Sequence, residues 1–514
     1  MHRSADPLVI ALTLLTAGCA SLPPLEGRAP TLALTATDAT QLGQSIAPRV
    51  AAHPGKTGIY PLTLPADAFA ARALLAAEAQ RSLDVQYYIW HDDETGMLLA
   101  EALWRAAERG VRVRLLLDDN GIAGLDPTLA ALDSHPNIEV RLYNPLPHRG
   151  VRALNFLADF SRANRRMHNK SFNADNQAAI VGGRNVGNEY YGAGEGVVFQ
   201  DLDVIAAGPA VREVSRAFDL YWNSDSAYPA ASILGPADPD ARAMLEAQFA
   251  AAHASPAAEV YLKALRETPL VTQLLKGKLP LEWAEAQLVY DDPAKTLDTG
   301  EHTDLLLLPK MVRLAGPAEK QFDLVSPYFV PADAGTAALA ELVRRGVKVR
   351  ILTNSLAATD VAAVHAGYAK RREDLLRAGV RLFELKPTAA QDEAQDKKNF
   401  GGSSGASLHA KTFQVDRERA FVGSFNFDPR SARLNTEMGL VIHSPVLAQR
   451  IAASFDSDVP LVAYEVRLDA DRGSLYWIET TPSGEKRYDT EPGTGLLKRL
   501  GVGILSLLPI DWLL

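Results

Sequence analysis

Two periods of apolar spacing alternate along this chain, and their succession occurs twice. From Leu83 to Trp90 runs a short β-branched and aromatic stretch of the kind a buried strand requires. A stretch with helical spacing follows, ending at Arg109-Gly110, and then a second strand-like run from Val111 to Leu117. The same order returns from Phe322 to Phe329, through a helical stretch ending at Arg345-Gly346, to the run from Val347 to Leu352. In both copies glycine closes the helix, because it enters the left-handed region at little steric cost. The parallel continues. Ile138 to Tyr143 is answered by Val380 to Leu385, and a strand–turn–strand unit from Lys170 to Asn185 by one from Lys411 to Asn426. The closing strand Asp201 to Ala206 is answered by Met438 to His443. Such a repeat predicts two tandem α/β domains, each a mixed β-sheet flanked by helices. The expected division is a signal segment 1–19, an extension 20–57, a first domain 58–230, a helical linker 231–300, a second domain 301–465 and a C-terminal segment 466–514.

Composition narrows the picture. With 514 residues, of which 47% are hydrophobic, the chain can bury several cores. Its formal net charge of −9 speaks against a general nucleic-acid binder, which needs a basic surface, yet leaves room for a local basic pocket. The single cysteine, Cys19, excludes an intramolecular disulfide. Arg3, an apolar run from Leu8 to Leu15, and Thr16-Ala17-Gly18 before that cysteine have the form of an export signal. Ending on cysteine, the segment resembles a bacterial lipoprotein signal, although Thr16 stands where leucine is usual and Asp6 dilutes the positive start. That resemblance implies lipidation of Cys19 and a place in the cell envelope, facing the periplasm or exterior. The apolar run is too short for a confident membrane span. Residues 388–407 read as a polar loop before the second motif. The Leu- and Ile-rich end, Leu496 to Leu514, is expected either to pack on its own domain or to touch a membrane surface.

The chemistry lies in the repeat. The first copy places His168, Lys170, Ser171 and Asp175 ahead of Gly182, Gly183 and Asn185. The second places His409, Lys411, Thr412 and Asp416 at identical offsets ahead of Gly423, Ser424 and Asn426. A lone His-x-Lys carries no information, but five residue types recurring at fixed offsets inside a duplicated fold do. In a strand, residues two apart share a face, so each His–Lys pair points one way. Two related domains meeting about a pseudo-two-fold axis would gather two imidazoles and two ammonium groups, which suits a phosphodiester. The lysines would neutralise its oxygens, and Asn185, Asn426, the hydroxyls of Ser171, Thr412 and Ser424, and the Gly183 backbone would donate to them. One histidine would act as nucleophile and the other as acid.

These motifs resemble the phospholipase D superfamily, whose signature is a doubled His-x-Lys-x4-Asp. The resemblance implies a covalent phosphohistidine, no metal or other cofactor, His168 as nucleophile and His409 as general acid. It also implies a downstream carboxylate behind each imidazole: Glu437 in the second half, Asp201 or Asp203 in the first. Asp175 and Asp416 belong to the candidate catalytic motif but look more like groups that bond to backbone. Ser326 to Pro331, Thr353 to Ser355, His365 to Tyr368, Asp291 to Lys295 and Ser506 to Ile510 are similar to the C-type bacterial cardiolipin synthases. This implies transfer of a phosphatidyl group to phosphatidylglycerol, with phosphatidylethanolamine a further candidate lipid, a membrane surface as partner and no nucleic acid. A phospholipase D hydrolase, a nucleic-acid phosphodiesterase and a non-catalytic lipid-binding protein are the competing classes.

Other residues have plainer readings. His91, His135, His148 and His443 read as surface or satisfied histidines, and Phe69, Trp104, Trp222 and Trp283 as core. His365 with Lys370, Arg371 and Arg372 reads as a solvated helix face. Arg162, Arg165 and Arg166 are placed to raise the potential near His168.

Overall fold

The computed structural model describes residues 22–26, 28–192, 199–275, 277–297, 302–387, 407–469, 471–509 and 511–514. Cys19 and residues 388–406 of the polar loop lie outside them. The first half contributes strands β1 (Thr57–Leu62), β2 (Ser82–Ile89), β3 (Arg112–Gly121), β4 (Ile138–Tyr143), β5 (Ser171–Ala174), β6 (Ala178–Gly182), β7 (Phe199–Gln200), β8 (Asp203–Ala207) and β9 (Ala227–Pro229). The second contributes β10 (Glu282–Tyr290), β11 (Gln321–Val325), β12 (Lys348–Asn354), β13 (Arg381–Leu385), β14 (Ser407–Leu408), β15 (Lys411–Val415), β16 (Arg419–Gly423), β17 (Met438–His443), β18 (Ala463–Asp469), β19 (Ser474–Thr481) and β20 (Gly484–Tyr488).

The predicted repeat is present strand for strand. In the first half β2, β3 and β4 run parallel, joined by helices, while β5, β6 and β8 fold back antiparallel beside β2. In the second half β11, β12 and β13 run parallel, with β15, β16 and β17 beside β11. The helix Glu94–Glu108 between β2 and β3 starts on Asp93, whose side chain accepts from the Gly96 amide. It ends at Gly110 with φ +88°, and its counterpart Ala332–Arg344 ends at Gly346 with the same φ.

The two halves share one sheet. β1 pairs with β8, β10 pairs with β17, and β1 and β10 pair antiparallel with each other, so the pseudo-two-fold axis passes between β1 and β10. The linker expected to be helical does carry the helices Ala241–Ala254, Pro256–Glu267 and Pro269–Leu275, but its last part is β10. That strand does alternate, with Ala284, Ala286 and Leu288 buried and Glu285 and Gln287 exposed, but alanine and glutamate are poor strand formers, which hid it. Beneath the junction one core joins both halves, with Ile59, Val181 and Val204 packed in the same cluster as Ala284, Val422 and Leu440. Each buried aliphatic side chain of this kind is worth about 1.5–3 kcal/mol, so the halves are held as one body.

Candidate active site

The sites of both halves meet at the junction. The face shared by His168 and Lys170 and the face shared by His409 and Lys411 open at the same end of the sheet. Two backbone contacts bring them together. Met167 bridges Thr436, with the His168 amide donating to the Thr436 carbonyl at 2.9 Å. Leu408 of β14 pairs with Gln200 of β7. In each case the residue just before a histidine pairs with the residue just before a carboxylate of the other half.

The carboxylates are therefore exchanged between halves. His168 Nδ1 lies 2.8 Å from Glu437 Oε2, and His409 Nδ1 lies 2.6 Å from Asp201 Oδ2. The expectation that Glu437 serves the second half's histidine is corrected: it serves the first half's. The open choice between Asp201 and Asp203 resolves to Asp201, since Asp203 is bound by Arg72 at 2.8 Å and Arg184 at 3.2 Å. Each imidazole also meets a tyrosine edge-on, Tyr88 against His168 at 4.9 Å and Tyr190 against His409 at 5.1 Å between ring centres.

The family described as cardiolipin synthase, PLD-like domain, matches residues 74–222 and 311–459, one match over each half of this constellation. The chain belongs to the phospholipase D superfamily. It is an enzyme of the phospholipase D type, and its relatives place it with the C-type cardiolipin synthases. It is 48% identical over 475 residues to cardiolipin synthase C of Escherichia coli K12, covering 92% of this chain and 100% of that protein. It is 28% identical over 387 residues to cardiolipin synthase A of Pseudomonas syringae pv. syringae, covering 75% of this chain and 64% of that protein. In fold it is similar to the crystal structure of the phosphatidylserine synthase of Haemophilus influenzae Rd KW20, with a TM-score of 0.56 and 14% identity over 89% of this chain and 95% of the other.

Within this phospholipase D-type site the charges are strongly perturbed. Burial, then Lys170 and Lys411, push the His168 imidazolium well below its ordinary value. Burial and Lys411 bring His409 to about 4 despite Asp201. Burial likewise lowers Lys170 well below the usual lysine value, and Lys411 to about 8 against the pull of Asp201 and Glu437. The two carboxylates diverge. Burial raises Glu437 to about 7, against Lys170 and the hydroxyls of Ser424 and Ser431. Burial also acts on Asp201, but His409, Lys411 and Arg184 outweigh it and hold that carboxyl at about 2. Burial and the two lysines thus favour the neutral form of both imidazoles, whose Nδ1 atoms face the carboxylates.

Several expected phosphate ligands have other duties. Asp175 accepts from the amides of Gln80, Arg81 and Ser82, and Asp416 from those of Glu319, Lys320 and Gln321, at the strand ends away from the histidines. Both sit in the left-handed region, φ +52° and +56°, and both bond to backbone as turn-formers. Strand alternation turns the Thr412 hydroxyl away from Lys411, where it donates to the Phe421 carbonyl. The same alternation turns Ser171 away from Lys170; its hydroxyl is buried with no hydrogen-bond partner among the described residues. Gly183 and Ser424, equivalent in the repeat, seat the carboxylates. A Cβ on Gly183 would stand 2.4 Å from Asp201 Oδ1, whereas Ser424 Oγ donates to Glu437 Oε2 at 2.5 Å. Asn185 accepts from the Ile89 amide and donates to the Tyr190 hydroxyl at 3.0 Å. Asn426 keeps a buried Oδ1 with no partner among the described residues.

Two of the three arginines before His168 have their charge offset by a carboxylate. Arg166 is paired with Asp118 at 2.7 Å, Arg162 with Asp159, and Arg165 donates to the Lys295 carbonyl. His365 is not on a solvated face. It is buried against Glu491 at 3.2 Å, and Arg372 binds both Glu384 and Glu491. Sequence reasoning missed the tyrosines at the histidines and the support behind Glu437. There Asp291 Oδ2 accepts from the Glu437 amide at 2.8 Å and Asp291 Oδ1 meets Lys295 Nζ at 3.0 Å. The Asp291-to-Lys295 stretch was visible as a family likeness without a role.

Proposed function

We propose that the enzyme transfers a phosphatidyl group to the hydroxyl of phosphatidylglycerol, making cardiolipin, through a phosphohistidine on His168. The observation that carries this reading is the pair of imidazoles with exchanged carboxylates beside two buried lysines. The relatives named as cardiolipin synthases supply the substrate class. An anionic diester takes its place between Lys170 and Lys411. His168 Nε2 attacks phosphorus, the bond to the leaving head-group oxygen breaks, and His409 gives that oxygen its proton. The acceptor hydroxyl then attacks the phosphohistidine, hands its proton to His409, and the phosphorus–nitrogen bond breaks. His409 must gain a proton first. The incoming diester charge offsets Lys411 and Lys170, which add to burial in holding the imidazole neutral, so substrate binding takes up a proton. Lipidation at Cys19 would keep the site in the envelope beside its lipids.

Purified enzyme with labelled phosphatidylglycerol, with and without phosphatidylethanolamine and with His168→Ala as control, tests the proposal. Cardiolipin made only by the active enzyme supports transfer, and dependence on phosphatidylethanolamine would identify the donor. Phosphatidic acid as the sole product would mark a hydrolase. Neither product would turn attention to other phosphodiesters.

A further inference from the structure

The rim of the sheet that carries the histidines also carries two apolar segments that are exposed among the described residues. The C-terminal helix Leu496–Ser506 docks on the helix Ala362–Ala369 by Val502, which packs with Leu356 and Ala366. Leu496, Leu497, Leu500, Ile504, Leu507 and Leu508 are exposed, Leu497 by 85% and Leu507 by 83%. At about 100° per residue these six fall within an arc of about 120° centred opposite Val502. The helix is therefore doubly amphipathic: one edge holds the domain and the other is left bare. Lys498 and Arg499 stand between the two faces, and the helix carries no acidic residue.

The second segment comes from the first half. After β4 the chain forms the short helices Ala153–Ala158 and Phe160–Ala163, which leave Val151, Leu154, Leu157 and Phe160 exposed, Leu157 by 84%. The second segment follows the C-terminal end of parallel strand β4, and the C-terminal helix packs on Ala362–Ala369, which follows the C-terminal end of parallel strand β12, the end at which His168 and His409 lie. One residue ties them together beside the site. Arg430 Nε donates to the Leu513 carbonyl and its amide to that of Leu514, while its guanidinium donates to the Asn164 carbonyl and side chain. Arg430 follows Asn426 in the second motif. Lys370 pins the tail again through the Leu508 carbonyl and Asp511.

We propose that these two segments form one membrane-docking face that sets the active-site mouth against an anionic lipid surface. The proposal rests on the reading of the enzyme as acting on membrane phospholipid, and names the elements that deliver the site to it. Bare leucines flanked by lysine and arginine suit a bilayer carrying anionic head groups. A second copy is the poorer occupant, since isologous pairing through this helix would set Lys498 and Arg499 against their own like charges.

The test uses the full chain with Cys19→Ser, which removes both the proposed anchor and the single native thiol. A polarity-sensitive fluorophore is placed by Leu500→Cys, by Leu157→Cys, or, as control, by Val446→Cys, an exposed position beyond the far end of β17. Vesicles of phosphatidylglycerol and phosphatidylcholine should blue-shift the first two labels. Lipids carrying a spin label in the acyl chain should quench those two at least threefold while leaving the Val446 position unchanged. Labels at 500 and 157 that stay as wet as the control would overturn the proposal. So would a shift that needs no vesicles and accompanies a doubling of the hydrodynamic mass. In the activity arm, Leu497→Asp with Leu500→Asp should lower turnover on vesicles at least tenfold yet leave turnover of a monomeric short-chain phosphatidylglycerol within twofold. Equal losses on both substrates would also overturn it. Labels that insert while no lipid product forms would leave the docking face standing and refute the proposed reaction.

Discussion

The two histidine–carboxylate pairs share a backbone plan and differ in chemistry. His168 rests on a glutamate, His409 on an aspartate, and in each pair the carboxylate comes from the other half. Their surroundings are unlike. Glu437 receives two hydroxyls, from Ser424 and Ser431, and lies near Asp291, so burial keeps it at about 7. Burial acts on Asp201 too, but His409 first, then Lys411 and the Arg184 guanidinium, hold it at about 2. Duplication reproduced the strands and the motif, whereas the charge around each pair is set by what stands one layer further out. An ionised Asp201 is suited to steady an imidazolium on His409. His168, facing a Glu437 poised near neutrality, is kept toward its neutral form by burial, Lys170 and Lys411.

The sharpest way to break this comparison is to trap the covalent intermediate. With a radiolabelled diester quenched in base, His168→Ala should abolish labelling of the enzyme and His409→Ala should retain it, while each lowers transfer by about 10⁴-fold. Labelling lost in His409→Ala but kept in His168→Ala would exchange the assigned roles. Next in size, Lys170→Met or Lys411→Met should lower turnover by about 10²–10³-fold, the scale of removing one electrostatic stabiliser of the transition state.

The carboxylates then separate the two pairs. Asp201→Asn removes a charge that the native site keeps and should cost about 10³-fold in turnover, whereas Glu437→Gln mimics a form already populated and should cost about tenfold. Wild-type pH–rate data should show a limb near 7 that Glu437→Gln removes and Asp201→Asn preserves; equal losses and unchanged limbs in both variants would refute the distinction.

Stability should diverge in sign. Asp201 titrates lower in the folded protein than in the unfolded chain. Its contribution is present above the ordinary aspartate value and is lost as pH falls through about 2. Glu437 titrates higher when folded, so its penalty grows from the ordinary glutamate value to about 7 and is full above that. At pH 8, Asp201→Asn should therefore lower the melting temperature and Glu437→Gln raise it, each by about one to three degrees in calorimetry. The smallest effect on chemistry is expected at the turns: Asp175→Ala should cost stability of about 1–3 kcal/mol while turnover of the folded enzyme stays within threefold.

The duplicated strands and the His–Lys faces were legible because strand spacing and motif offsets are local properties of the chain. The partner of each histidine was not. Glu437 lies 269 positions from His168, and Asp201 lies 208 from His409, so proximity in sequence favoured the uncrossed assignment. Thr412 and Ser171 were misread for a simpler reason: neighbours in a strand face opposite ways, and the rule that placed His and Lys together also removes the residue after Lys. His365 was taken as solvated because its basic neighbours were visible and Glu384 and Glu491, which neutralise Arg372, were far along the chain. β10 escaped because its alternation is carried largely by alanine and glutamate, which are weak strand formers, and its place is fixed by pairing with β1 and β17.

The exchange of carboxylates also governs when the enzyme can first act. A ribosome must deliver Glu437, near the end of its task, before His168 has its general partner, and the amino-terminal half alone holds an imidazole with nothing to orient it. The site is complete only after both halves have closed on each other, so completion of folding doubles as the safety catch.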